Sequence, residues 1–149
     1  MPLYYSPFRQ DVYAQSLSGA AHKPAFEVCV NVMGCRIDDD IEEALMPTKA
    51  ALAFYIGGMG ARSRNFHMEL MSRMGYEAEA HQIQDLFFQG KRDEAIPLVP
   101  TAFADEISLV GPRERIKERL QEWKKTPITS LLLGAREPET LRAMAELVL

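Results

Sequence analysis

Two stretches of the chain have the pattern of β-strands, and a long helical region separates them. Residues 25–33, AFEVCVNVM, alternate between apolar side chains and other side chains, as a strand does. Residues 128–133, ITSLLL, form a mainly apolar run that is typical of a parallel strand buried on both faces. Because helices and not a tight turn connect the two strands, we expect parallel pairing in an α/β fold.

Residues 3–5 have the pattern of the end of a third strand. Residues 38–125 are predicted to form a mainly helical excursion, opened by Asp38 as the N-cap of its first helix. Pro47 should kink or divide that helix, and Gly75 and Gly90 should end the second and third helices of the excursion. The length of 149 residues is typical of one domain, so we expect a single domain over 1–149 with about three parallel strands.

The composition excludes several classes of protein. With 47% hydrophobic and 26% charged residues, the chain has the balance of a globular protein and not of a disordered one. The net charge is −4 and no block of like charge exceeds three residues, so neither nucleic acid nor a membrane surface is an expected partner. No apolar run reaches the roughly 20 residues that span a bilayer, and residues 1–10 lack a secretory pattern, which predicts a cytoplasmic protein.

The two cysteines are predicted to be free thiols. Cys29 and Cys35 lie six residues apart, on or just beyond one strand, which separates them by about 20 Å when extended. A disulfide requires a much shorter distance. The sequence contains neither CxxC nor HExxH, so no metal site is predicted.

The stretch YIGGMGARSRNF, residues 55–66, is a candidate anion site. Its three glycines let backbone N–H groups converge, and Arg62 or Arg64 could pair with a phosphate beside the N-terminus of the next helix. Alternatively, the glycines only end one helix and reverse the chain, and the arginines face solvent. GGxG differs from GxGxxG and follows a helix, so the motif alone does not decide between the two interpretations.

The sequence offers further candidates. Gly134 and Arg136 follow the last predicted strand and precede a helix, a common phosphate position in barrels, although an ordinary connecting loop has the same pattern. A row on one predicted helix face could bind a metal, relay protons or form a solvated row of charges; it consists of Glu77, His81 and Asp85. Asn31 could point from its strand towards a ligand or be hydrogen-bonded in the core.

Several pieces of the sequence, in this order, resemble the luciferase-like monooxygenase superfamily, in particular the class that uses the deazaflavin coenzyme F420. They are MPLYYSPFR, ALAFYIGGMGARSRNF, GYEAEAHQIQDLFFQGKRDEA, DEISLVGPRERIKERLQEW and ITSLLLGA. The resemblance covers nearly all 149 residues and concerns the C-terminal part of the family's sequences.

This resemblance implies a TIM-type (β/α)8 barrel, of which the chain would form the C-terminal fragment, with the predicted strands as the sixth, seventh and eighth. It implies an oxidoreductase that transfers hydride to or from coenzyme F420 or FMN. It also implies cofactor-binding residues, namely Gly57, Gly58, Gly60, Arg62, Gly134 and Arg136. The catalytic residues stay unassigned.

Three hypotheses about function follow. In the first, the chain is a truncated or split relative of these oxidoreductases, inactive alone, that needs self-association or a partner chain to cover its strand edges. In the second, it is a non-enzymatic, oligomeric helical interaction module derived from a barrel and binds no coenzyme. In the third, it is a gene fragment without an evolved function.

Overall fold

The computed structural model describes residues 4–18 and 26–148, and the chain divides into two compact units. The first unit combines Met1–Ala44 with Asp105–Leu149, and the second comprises Leu45–Ala104. All four described strands lie in the first unit, whereas the second is helical. Among the described residues, no helix is both long enough and apolar enough to cross a membrane. The single domain expected over 1–149 stays a prediction.

One extended segment of the first unit supplies two strands, β1 (Cys29–Val32) and β2 (Cys35–Ile37). Strand β1 pairs in parallel with β4 (Ser130–Leu133), and β2 pairs in parallel with β3 (Leu109–Gly111). The segment changes its partner strand between β1 and β2, where the N–H of Leu109 donates to the carbonyl of Gly34 at 2.8 Å. The predicted α/β class with parallel strands is therefore confirmed.

The strand boundaries differ from the predicted ones. The strand expected over 25–33 is limited to β1, and residue 25 lies outside the described residues. Residue 3 also lies outside them, while Tyr4 and Tyr5 adopt no strand conformation and are buried. The sequence pattern does not reveal β3, because its three residues are too few to show a two-residue period.

Strand β4 is not buried on both faces, contrary to the prediction for 128–133. Its side chains alternate between exposed and half-buried, and Leu132 is 52% exposed. Among the described residues β4 has β1 as its single strand neighbour, so its second edge and one of its faces lack cover.

Among the described residues, three helices lie entirely in the first unit: α1 (Gln10–Ser18), α7 (Arg113–Lys124) and α8 (Pro138–Val148). The ring of Tyr5 lies 4.6 Å from that of Tyr13 on α1 and 5.9 Å from that of Trp123 on α7. All three side chains are buried. Each aromatic ring removes a large apolar area from water, so this cluster holds α1 and α7 together.

Helix α2 (Ile41–Gly58) begins later than predicted. Its N-cap is Asp40 and not Asp38, since the N–H of Glu43 donates to Asp40 Oδ1 at 3.0 Å. Asp38 instead accepts from the N–H of Asp40 at 3.0 Å, which shapes the turn before the helix. The cap therefore moved by two residues because Asp38 serves the preceding turn.

The second unit contains the remainder of α2 together with α3 (Phe66–Met71), α4 (Glu77–Phe88), α5 (Arg92–Ala95) and most of α6 (Thr101–Glu106). A π-helical turn joins α3 to α4, and a 3-10 turn follows α5. The helices predicted to end at Gly75 and Gly90 are confirmed, since both glycines have positive φ values of 95° and 78°.

Pro47 does not divide α2, which continues unbroken to Gly58. Proline removes one backbone donor from a helix interior and costs roughly 3 kcal/mol there. The apolar face of the same helix compensates for this loss, because Leu45, Leu52 and Ile56 are fully buried.

Two carboxylates at the end of α6, both in the first unit, bind three arginines. Arg9 Nε lies 3.0 Å from a carboxylate oxygen of Glu106. Asp105 Oδ2 lies 2.8 Å from Arg115 and 3.1 Å from Arg119 on α7. These side chains are mostly buried or half-buried, so the pairs are screened less than surface pairs. They link the end of α6 both to the segment before α1 and to α7.

We expect Asp105→Asn to lower the free energy of unfolding by about 2 kcal/mol, because it leaves two half-buried guanidinium groups without their carboxylate. Urea denaturation measures the change. The matched control is Glu114→Gln, which removes a solvent-exposed pair with Lys117 and should change stability by no more than about 0.5 kcal/mol. Equal losses in the two variants would contradict this role of Asp105.

Candidate functional site

Gly57 and Gly58 are the last residues of α2 and pack against α4 within the second unit. A Cβ atom built on Gly57 would lie 2.3 Å from a ring atom of Phe87, and one on Gly58 would lie 3.3 Å from the same ring. A methyl group at Gly57 therefore requires the ring to move, so this glycine permits the close approach of the two helices. The packing of α2 against Phe87 therefore explains why position 57 is a glycine.

Asn65 holds the corner between α2 and α3, and its side chain is buried. Its Nδ2 donates to the carbonyl of Ile56 at 2.6 Å. Its Oδ1 accepts from the N–H groups of His67 and Met68 at 3.0 and 3.2 Å. One side chain thus caps the end of α2 and the beginning of α3, and it takes up N–H groups that an anion would otherwise bind.

Other protein atoms also contact Gly60 and Arg62, where the sequence predicts an anion. A Cβ atom on Gly60 would lie 2.9 Å from the carbonyl oxygen of Arg64, so the tight turn itself needs a glycine. Arg62 pairs with Asp85 at 3.0 Å, and its guanidinium carbon lies 4.7 Å from the ring centroid of Phe88. Both charged side chains are more than half exposed, so a ligand could compete for Arg62 at low cost.

The row Glu77, His81 and Asp85 lies on the exposed side of α4, as its spacing predicts. Asp85 is engaged by Arg62. Within the ranges 4–18 and 26–148, no three His, Cys, Asp or Glu side chains are grouped as metal ligands. The contacts of this row are those of solvated surface charges.

His67 is the buried titratable group of the corner. Its ring centroid lies 3.8 Å from that of Phe66 and 5.2 Å from that of Tyr55. Burial among these aromatic rings lowers the pKa of His67, because the charged imidazolium loses hydration there. The neutral form therefore dominates at pH 7.

The second predicted group, Gly134 and Arg136, follows β4 in the first unit. Both residues are exposed, and a Cβ atom on Gly134 would meet no other atom within 4 Å. Helix α8 begins two residues after Arg136, with Pro138 as its first residue. This loop has free space beside a cationic side chain, whereas the space at Gly57 and Gly60 is filled by protein.

Three side chains of the extended segment 29–37 were also singled out by the sequence. Asn31 is half-buried and donates to Met33 Sδ at 3.6 Å, a weak interaction that leaves most of its hydrogen-bonding capacity available. Cys29 and Cys35 are free thiols, as predicted. Burial, followed by the carboxylate of Glu137, raises the pKa of Cys35 to about 11, so this thiol is protonated at neutral pH.

The sequence does not single out the two residues that determine the corner. Asn65 has a recognisable signal, because asparagine directly before a helix is a preferred N-cap. Phe87 has none, since its contact with Gly57 joins positions on two different helices.

The model of the luciferase-like monooxygenase family matches residues 4–130. The chain belongs to this family. The assignment confirms the resemblance that the five pieces of sequence indicate.

Two similar proteins show how this family member relates to longer chains. A protein of Mycobacterium tuberculosis named as a coenzyme F420-dependent oxidoreductase is 31% identical over 155 aligned residues, which cover 99% of this chain and 44% of the relative. The structure of the coenzyme F420-dependent tetrahydromethanopterin reductase of Methanopyrus kandleri is similar with a TM-score of 0.55 at 25% identity. That similarity covers 82% of this chain and 33% of the reductase. The luciferase-like chain thus spans less than half the length of either protein.

We expect Gly57→Ala to destabilise the protein by about 1–3 kcal/mol, because the added methyl group overlaps the ring of Phe87. In an unobstructed helix, a glycine-to-alanine substitution would instead stabilise the protein. Gly134→Ala is the matched control, since its Cβ meets open space, and it should change stability by no more than about 0.5 kcal/mol. Thermal and urea unfolding of both variants provide the test; a neutral Gly57→Ala would show that the ring does not restrict this position.

His67 should make stability depend on pH. Its pKa is lowered in the folded state, so the unfolded chain binds the proton more readily. The contribution of neutral His67 to the free energy of unfolding is therefore fully present only above the unfolded pKa of about 6.5. The free energy of unfolding should fall as the pH drops below that value. His67→Gln should flatten this dependence between pH 7 and 5, whereas the exposed control His81→Gln should keep it. A pH profile unchanged by His67→Gln would refute the assignment.

Proposed function

We propose that the chain is a truncated or split relative of the luciferase-like, coenzyme F420-dependent oxidoreductases, which contributes part of a coenzyme site and is inactive alone. The observation that carries the proposal is the family match over residues 4–130 in a chain that corresponds to 44% of its M. tuberculosis relative. The names of that relative and of the M. kandleri reductase favour coenzyme F420 over FMN.

The expected inactivity follows from the way barrels build their active sites. Side chains from the carboxyl ends of several strands together surround the reacting centre. The described residues supply two parallel pairs of short strands, which offer only part of such a rim. When bound, coenzyme F420 supplies hydride transfer, and the protein contributes binding, orientation and exclusion of water.

Among the predicted cofactor-binding residues, Gly134 and Arg136 fit an anionic part of the coenzyme best. Their loop has room beside Gly134 and an exposed guanidinium that can form paired hydrogen bonds with a phosphate. Gly57, Gly58 and Gly60 fit less well, because protein atoms fill the space that a ligand would need. Arg62 fits only if the ligand replaces Asp85 as its partner.

Two free cysteines favour a reducing compartment, so we include a cytoplasmic location in the proposal.

The rival function is a non-enzymatic interaction module. Exposed apolar side chains on β4 and α8 favour it, since Leu132 and Leu141 are 52% and 47% exposed. The two functions differ in whether the chain retains affinity for the coenzyme.

Fluorescence titration of coenzyme F420 with the purified chain tests the proposal. We expect saturable binding that Arg136→Ala weakens about tenfold, the loss of one charged hydrogen-bonding contact. The control Arg142→Ala removes an exposed arginine of α8 and should leave the affinity unchanged. A parallel titration with FMN identifies the preferred coenzyme. Absence of saturable binding of coenzyme F420 up to millimolar concentration would exclude a retained coenzyme site and favour the interaction module.

A further inference from the structure

Helix α2 carries an apolar row that faces solvent in the second unit, and we call it the α2 row. It consists of Met46, Ala50, Phe54 and Gly58, which are four residues apart and therefore lie on one side of the helix. Met46 and Phe54 are 39% and 48% exposed. Gly58 is also exposed, and Ala50 is half-buried.

The α2 row lacks the charges of an ordinary solvated helix face. Over residues 46–60 the single charged residue is Lys49. Its side chain is buried, and its Nζ donates to the hydroxyl of Thr101 at 2.8 Å. The exposed positions of this stretch carry only methionine, proline, phenylalanine and glycine. Because a helix that is apolar on all sides is normally covered on all sides, the α2 row has the composition of a contact surface.

Aromatic rings continue from the α2 row around the corner of the second unit. The ring of Tyr55 lies 5.7 Å from that of Phe54 and 5.2 Å from that of His67, which lies 3.8 Å from the ring of Phe66. The large apolar side chains of the row and corner that are 39–57% exposed are Met46, Phe54, Met59, Phe66 and Phe88. At roughly 200 Å² for each side chain, about half of it exposed, the five leave about 500 Å² per copy. Two copies could bury about 1,000 Å², the lower limit of a specific interface.

The order of side-chain sizes makes the α2 row complementary to itself. Large and small residues alternate from Met46 to Gly58. In an antiparallel contact centred midway between Ala50 and Phe54, the Phe54 of each copy faces Ala50 of the other, and Met46 faces Gly58. A parallel contact would set each large side chain against its own equivalent and align the helix dipoles. Rows with this four-residue spacing pack when two helices cross at about 50°, the commonest class of helix packing.

We propose that the α2 row is the interface of a two-fold symmetric dimer, in which it is covered by the α2 row of a second copy of the chain. The two helices run antiparallel, and each Phe54 packs over the small side chain of Ala50 in the other copy. Every residue of this contact belongs to the second unit, whereas Gly134 and Arg136 belong to the first. The dimer is therefore independent of the proposed coenzyme site, and the titration of coenzyme F420 tests that site separately.

Sedimentation equilibrium of the purified chain tests the dimer. We expect a reversible monomer–dimer equilibrium with a Kd of micromolar order, which suits an interface of this small size. Phe54→Glu should raise the Kd at least about tenfold, because the dimer would bury an unpaired charge. The matched control is Leu141→Glu, which places the same charge at a 47%-exposed helix position of the first unit and should leave the Kd unchanged.

Two further variants test the pairing of positions 50 and 54. Ala50→Leu adds apolar area but fills the space that Phe54 of the second copy needs, so the Kd should rise about tenfold. The double variant Ala50→Leu, Phe54→Ala exchanges the large and the small position, and it should bring the Kd back to within about threefold of that of the unchanged chain. Circular dichroism of each variant shows whether it keeps its fold, since the substituted side chains are exposed or half-buried.

Three results would overturn the proposal. The first is a chain that remains monomeric at about 200 μM, a concentration far above the expected Kd. The second is tighter association of Ala50→Leu, because a non-specific apolar contact gains from added apolar area. The third is a dimer that Leu141→Glu dissociates and Phe54→Glu does not, since it would assign the contact to the first unit.

Discussion

The parallel pairing of the segment 29–37 with two different partners determines the organisation of the first unit. Its first half pairs with β4 and its second half with β3. Two stretches from the C-terminal third of the chain are therefore joined to one continuous segment near the N-terminus. The ion pairs of Asp105 and Glu106 fix the approach to β3, and the ring cluster around Tyr5 fixes the helices. Apolar burial and shielded charges thus support the same strand arrangement.

Among residues 4–18 and 26–148, this arrangement satisfies the backbone hydrogen bonds of β1 along one edge but gives β4 neither a second strand neighbour nor a second covered face. Three leucines in a half-exposed strand have a composition that suits a buried position. The mismatch between sequence and exposure therefore concerns the surroundings of β4 and not its conformation. A chain with this composition at an edge either associates or exposes an aggregation-prone strand.

The sequence predicted the elements that depend on local chemistry. Gly75 and Gly90 end helices because they adopt positive φ, a preference that any context would retain. It could not predict the features set by distant contacts. Gly57 has the appearance of a ligand cradle, yet Phe87 on another helix occupies the space. Likewise, 128–133 has the pattern of a doubly buried strand, and only the number of neighbouring strands shows that it is exposed.

The same distinction separates the two groups of predicted cofactor contacts. At the corner of the second unit, Phe87 fills the space at Gly57, Asn65 binds backbone groups and Asp85 pairs with Arg62. A ligand there gains only what remains after it displaces Asp85 from Arg62. At the loop after β4, Gly134 adjoins open space and Arg136 is exposed, so a ligand there displaces only water. That loop directly follows the strand whose edge is uncovered. A strand that paired with the free edge of β4 in the same direction would therefore end next to Gly134.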